Sequence, residues 1–150
     1  MKKIAGEYYN QESVRLQYRP LQVEHIENWS CFFVDNPAER FIGASYLGST
    51  PKEKAKAWIE KQIEREMNPG VDFEVTYSFL PEYWGKGYAT ELAVHFKNFA
   101  FNYIETNSVI SMIHKDNLAS INVAQKNGMA FASRTTFLNM PILVYRAFRQ

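Results

Sequence analysis

The most constraining feature of this chain is one junction. Residues 73–80, Phe-Glu-Val-Thr-Tyr-Ser-Phe-Leu, alternate apolar and polar side chains, which is the period of a strand with one face in a core. Pro81 ends that strand because it has no backbone N–H to give a ladder. The turn Glu82-Tyr83-Trp84-Gly85-Lys86-Gly87 follows, and a long amphipathic helix starts near Tyr88, with Leu92, Phe96, Phe99 and Tyr103 on one face. A glycine-rich turn that opens a helix leaves several backbone N–H groups without acceptors at the positive end of the helix dipole. Such a cluster suits an anion, above all a phosphate. Gly85 and Gly87 let the backbone approach a ligand with no Cβ in the way, and Lys86 and Thr90 add donors.

The remaining pattern sets the context. Residues 14–19, Val-Arg-Leu-Gln-Tyr-Arg, alternate and read as a first strand ended by Pro20. Val23, Ile26, Trp29 and Phe33 recur at helical spacing. The same region also reads as a hairpin, Cys31–Val34 and Phe41–Ala44 around the turn Asp35-Asn36-Pro37. A second helix is marked by Thr50 as N-cap, Pro51 in its first turn and Glu53 closing a capping box. Its apolar stripe is Ala55, Trp58, Ile59, Ile63 and Met67, and Asn68-Pro69-Gly70 stops it. Residues 108–113 read as a buried strand. Asn117 caps a short helix that runs to Asn127 and stops at Gly128. Two strands, 129–137 and 142–148, close the chain around a turn at Leu138–Pro141. Strand, helix, strand, helix, strand, strand predicts an α/β (α+β) sheet with at least one parallel pair.

At 150 residues, 46% hydrophobic and 15% aromatic, the chain is expected to form a single domain, residues 1–150, with a real core. Seventeen basic against sixteen acidic residues leave a charge of +1, without the basic stripe of a nucleic-acid binder. The Lys52, Lys54 and Lys56 cluster is interleaved with acids and reads as a solvated helix face. Cys31 stands alone, so neither an internal disulfide nor a thiolate metal site is expected, and no metal is assigned. No apolar run follows Met1-Lys2-Lys3 as in a signal peptide, and none approaches the roughly 20 residues of a membrane span. No membrane partner and a cytoplasmic location are expected.

Two familiar phosphate loops do not fit. A P-loop needs a glycine five residues before Gly85 and Ser or Thr after Gly-Lys. The dinucleotide fingerprint needs a third glycine where Thr90 stands. The run Tyr77–Glu91 instead resembles the acyl-coenzyme-A motif of the GNAT superfamily of N-acetyltransferases, with ribosomal-protein N-terminal acetyltransferases as the nearest likeness. His114–Met129 resembles the family's later cofactor helix, and Arg15–Leu21 its first strand. The resemblance implies a mixed, mostly antiparallel central sheet with helices on both faces, and acetyl-CoA as co-substrate. It implies that N–H groups from Gly85, Lys86, Gly87, Tyr88, Ala89 and Thr90 hold the diphosphate. The strand edge at Phe79 and Leu80 would pair with the pantetheine arm, Asn117 would bond the arm from the other side, and Ser120 would lie near the sulfur.

Two departures stand out. Glu82 occupies a position where the family often carries Gln or Arg, and is expected to point to water. Between Asn68 and Phe73 only Pro69, Gly70, Val71 and Asp72 remain, where the family usually has two more antiparallel strands. Such a hairpin takes about 15 to 30 residues with its turns. Either the sheet lacks two strands, or residues 31–47 supply them, or a second chain covers the edge. An uncovered edge favours a homodimer.

Acetyl transfer needs a base for the amine, a polarised thioester carbonyl, close positioning and a leaving thiolate. Glu74 is the candidate base, against its reading as an exposed strand residue. A backbone N–H near Phe79 or Leu80 could polarise the carbonyl. Ser120 could protonate the thiolate; local capping after Asn117 is an equal reading. His114 reads as structural, and His25, His95 and Cys31 take no role. The expected activity is transfer from acetyl-CoA to a primary amine, a protein N-terminus or a small amine, by direct attack. The alternative is a non-catalytic coenzyme-A-binding or dimeric interaction module.

Overall fold

A computed structural model describes residues 10–43, 47–67 and 73–150. Its helices are α1 (Ile26–Ser30), α2 (Pro51–Met67), α3 (Tyr88–Tyr103) and α4 (Leu118–Lys126). Its strands are β1 (Phe73–Glu74), β2 (Ser108–His114), β3 (Ala130–Phe137) and β4 (Met140–Phe148). The sheet order is β1-β2-β4-β3. β1 and β2 are parallel, and β2–β4 and β4–β3 are antiparallel, so the sheet is mixed and mostly antiparallel, as expected.

The capping box on α2 forms as its residues suggest. The Glu53 N–H donates to Thr50 Oγ1 at 3.2 Å, and the Thr50 N–H donates to Glu53 Oε2 at 3.0 Å. Ala55 and Ile59 of the α2 stripe are fully buried. The proposed stop at Asn68–Gly70 lies outside the described residues. Residues 23–33 form a run of short 3-10 and α turns, so this region is helical and the hairpin reading of Cys31–Val34 is overturned. Pro37–Phe41 is also a 3-10 turn, started by Asn36 Oδ1 accepting the Ala38 N–H, so residues 31–43 supply no strands to the sheet. Phe32, Phe33 and Ala55 make a small core here, with Trp29, Trp58, Ile42 and Leu80 packed against it.

The main core lies between the sheet and α3 and α4. Val109 and Ile113 of β2 and Tyr145 and Ala147 of β4 meet Ala93, Phe99 and Ala100 of α3 and Ala124 of α4. Tyr103 departs from the expected stripe: it is 64% exposed, at the last residue of α3, with its ring 5.0 Å from that of Phe99.

Two strand expectations are corrected. Residues 14–19 form a tight loop rather than a strand. Among the described residues only a Glu12–Gln17 bridge is present, and Val14 is 94% exposed. The alternation records Leu16 and Tyr18 packing inward from a loop. The strand expected over 73–80 keeps its ladder only at Phe73–Glu74. One further bond runs from the Val75 N–H to Ile110 O at 2.8 Å. The Ser111 hydroxyl then takes the Val75 carbonyl at 2.7 Å, an acceptor that a continued ladder would use for a backbone N–H.

Candidate functional site

Because the ladder stops at Val75, residues 76–80 leave β2, which continues alone with β4 as far as the His114–Ile142 pair. Beyond Val75 no backbone hydrogen bond joins segment 76–80 to β2 among the described residues, and this unpaired stretch is the wedge. The start of α4 stands across it, where the Tyr77 hydroxyl donates to Ser120 O at 2.9 Å. Burial pushes the Tyr77 hydroxyl far up from its usual pKa, so it remains a proton donor at neutral pH.

The phosphate turn follows directly. Pro81–Tyr83 is a single 3-10 turn, in which the Tyr83 N–H bonds Leu80 O at 2.9 Å and the Trp84 N–H bonds Pro81 O at 3.1 Å. The Trp84 indole N–H donates to Phe79 O at 2.7 Å. The carbonyls of Phe79 and Leu80 are therefore committed to the turn, and a partner at this edge would be read by N–H groups rather than by these carbonyls. Gly85 at φ 72° and Gly87 at φ 80° are left-handed, a region that favours glycine. Gly87 is the N-cap of α3 with no side-chain cap, and the first bond of the helix is Glu91 N–H to Gly87 O at 3.0 Å. Among the described residues, none of the N–H groups from Gly85 to Thr90 has a protein acceptor. A Cβ on Gly85 would meet nothing within 4 Å, so what glycine supplies there is its left-handed φ rather than room. Glu82 is exposed, as its charge requires. The Lys86 ammonium stands 5.7 Å over the Tyr83 ring.

The other expected site residues fall in two groups. Asn117 and Ser120 sit together across the wedge. Asn117 caps α4, its Oδ1 accepting the Ser120 N–H at 3.2 Å. Glu74 lies further down β1. Its carboxylate accepts from Arg65 Nη2 at 2.6 Å, an ion pair that ties the end of α2 to β1. His114 is structural in its contacts: Nδ1 accepts the Asp116 N–H at 3.1 Å, and the ring stands 5.2 Å from that of Phe41. His95 bonds Gln11 at 2.8 Å and stacks on Tyr18, and His25 Nδ1 accepts the Gln22 N–H. No group of three or more metal-ligating side chains occurs among the described residues, and no helix there is long and apolar enough to cross a membrane.

Arg15 was not legible in the sequence. Its guanidinium bonds Glu91 at 2.7 Å and Lys86 O at 2.9 Å, behind the turn. Glu91 lies 76 positions away, so no local pattern announces the pair.

The start of α3 thus carries six amides without an acceptor among the described residues. Residues 62–130 match the family model of the acetyltransferase (GNAT) domain, a span that holds the turn, Asn117 and Ser120. The fold is that of a solved GNAT-family acetyltransferase from Bacillus anthracis, with TM-score 0.69 and 18% identity over 87% of this chain and 93% of that one. A ribosomal L7/L12 alpha-N-protein acetyltransferase, RimL, solved in complex with coenzyme A, superposes with TM-score 0.73 and 13% identity, covering 93% of this chain and 97% of that one. In sequence, the chain is similar to the uncharacterised protein YkkB of Bacillus subtilis (strain 168), 34% identical over 87 residues. That match takes in 58% of this chain and 48% of the relative, so it spans about half of the relative's length.

Proposed function

We propose that this protein binds acetyl-CoA at the Gly85–Thr90 turn and transfers the acetyl group to a primary amine. The observation that carries the reading is the set of amides from Gly85 to Thr90, uncommitted among the described residues at the N-terminus of a sixteen-residue helix. The diphosphate accepts from these amides. The pantetheine arm runs along the wedge past Phe79 and Leu80, with the Asn117 amide nitrogen on its other side. The sulfur then lies near Ser120. The amine nitrogen attacks the thioester carbonyl carbon, the C–S bond breaks, and the departing thiolate takes a proton from Ser120 or solvent. With a thiol pKa near 8.5, the thiolate leaves readily.

Glu74 is the candidate base for the proton that the amine loses, and it would have to act from within its ion pair with Arg65. An α-amine, with a pKa near 8, needs less help than a lysine amine near 10.4. A base held by an arginine therefore favours a protein N-terminus or a small weakly basic amine as acceptor. The short link between α2 and β1, residues 68–72, is consistent with a sheet two strands shorter than is usual for the family. In this reading the chain works in the cytoplasm, and β3, exposed along its whole length, pairs with a second copy.

The test is release of free coenzyme A from acetyl-CoA across a panel of N-terminal peptides and small amines. Turnover by the native protein and none by Gly87→Val, at matched folding by circular dichroism, supports the reading. The second reading, a coenzyme-A-binding module without turnover, is favoured by the Glu74–Arg65 pair. Calorimetric binding with no release on any amine would select it.

A further inference from the structure

The N-terminal segment crosses behind the phosphate turn, and one side chain joins the two. Arg15 Nε meets Glu91 Oε2 at 2.7 Å, and Nη1 donates to Lys86 O at 2.9 Å. The guanidinium carbon stands 4.7 Å over the Tyr88 ring. Glu91 is also held by the Arg15 backbone N–H at 2.7 Å and by the Ser13 hydroxyl at 2.6 Å. Ser13 in turn accepts the Tyr18 hydroxyl at 2.9 Å. We propose that Arg15 is a positioning residue for the diphosphate, one that sets the Lys86–Gly87 peptide and cancels the charge of Glu91. The inference rests on the acetyl-CoA reading above and deepens it.

Two arguments carry it. In a trans peptide the C=O and the following N–H point in opposite directions. A donor that holds Lys86 O behind the turn therefore aims the Gly87 N–H out of the front, where an anion would sit. Without that donor the Lys86–Gly87 peptide is held less firmly, because the Gly87 φ on one side of it is permissive. A Cβ on Gly87 would stand in ordinary contact with Arg15 Nη2 at 3.4 Å, so what glycine supplies there is the left-handed φ of 80°.

The second argument is charge. Glu91 lies in the first turn of α3. A carboxylate there competes with any other anion for the positive end of the helix dipole and repels a diphosphate. Hydrogen bonds from Ser13 and Arg15 hold the Glu91 carboxyl below its ordinary pKa, so it is charged at neutral pH and needs its counter-ion. Arg15 supplies one. The same side chain thus removes a repulsion and points a donor.

The experiment compares two ligands by calorimetry and NMR titration: acetyl-CoA, and S-acetyl-pantetheine, which ends before the diphosphate. Arg15→Gln is expected to weaken acetyl-CoA about tenfold, as loss of a charge-assisted contact does, and to leave acetyl-pantetheine within about twofold. Adding Glu91→Gln to Arg15→Gln should recover part of the loss, because the uncompensated acid is gone. Arg15→Gln binding acetyl-CoA as tightly as the native protein would overturn the proposal. So would equal weakening of both ligands, which marks a general loss of structure, or a double variant that binds worse than Arg15→Gln. Failure of the native protein to bind acetyl-CoA at all would instead remove the underlying reading, so the two failures are distinguishable.

Discussion

At the scale of single residues, backbone conformation and charge pairing decide what can be changed. Gly128, at φ 75°, ends α4, and a Cβ there would meet only the Lys97 Nζ at 3.6 Å. Gly128→Ala should therefore cost only the left-handed backbone, about 1 kcal/mol, read as a lower midpoint in urea at unchanged slope. Acid should act through His95 and Glu91, besides the exposed Asp116, whose carboxyl the Lys115 hydrogen bond also holds low. Burial lowers the pKa of His95 from 6.5, and hydrogen bonds from Ser13 and Arg15 lower that of Glu91 from 4.5. Both are depressed in the folded state, so the unfolded chain takes up their protons first. The stability they contribute is complete above their unfolded values and is lost as pH falls through the folded ones. The unfolding free energy should thus decline below pH 6.5 and again below pH 4.5. His95→Gln should flatten the first decline and Glu91→Gln the second. Unaltered pH profiles in these variants would count against the two contacts.

At the scale of elements, the sequence was most readable where the determining contacts are local. The α2 capping box needs only Thr50 and Glu53, three residues apart, and both bonds are present. Thr50→Ala should cost about 1 kcal/mol. The turn at Gly85 and Gly87 was readable for the same reason, since left-handed backbone follows from residue type. Strands were less readable, because a strand needs a neighbour far along the chain. Residues 14–19 carry the right period but find no ladder. Residues 76–80 lose theirs because the Ser111 hydroxyl intercepts Val75 O from 36 positions away. Glu74 stands out in the sequence for its place on a strand, yet its partner, Arg65, is set by where α2 ends. Arg15 was invisible because charge pairing across 76 positions leaves no periodic trace. Ser111→Ala, by freeing Val75 O, should narrow the wedge and weaken acetyl-CoA more than it changes stability, measured by titration beside urea unfolding.

At the scale of the whole molecule, the two cores have different work. The larger one fixes α3, which the turn opens, and α4, which carries Ser120, on the sheet. The smaller one, around Phe32 and Ala55, packs against Leu80, at the root of the same turn. On the far side, every residue of β3 is exposed, with Phe131 and Phe137 each about half open to solvent. Arg134 is its only charged residue, little protection for a free edge. A dimer through β3 predicts a sedimentation mass of two chains, reduced to one by Thr136→Pro: Thr136 pairs with Pro141, whose carbonyl faces β2, so the Thr136 N–H faces the outer edge. One chain's mass in the native protein would contradict it.

The central claim is that backbone amides of the turn hold a diphosphate, and amide chemical shifts report this most directly. On titration with acetyl-CoA, the 1H–15N resonances of Gly85 to Thr90 should move downfield together and saturate, as N–H groups do on meeting an anion. Acetyl-CoA that binds while these resonances stay where they are, or a protein whose spectrum does not respond at all, would contradict it.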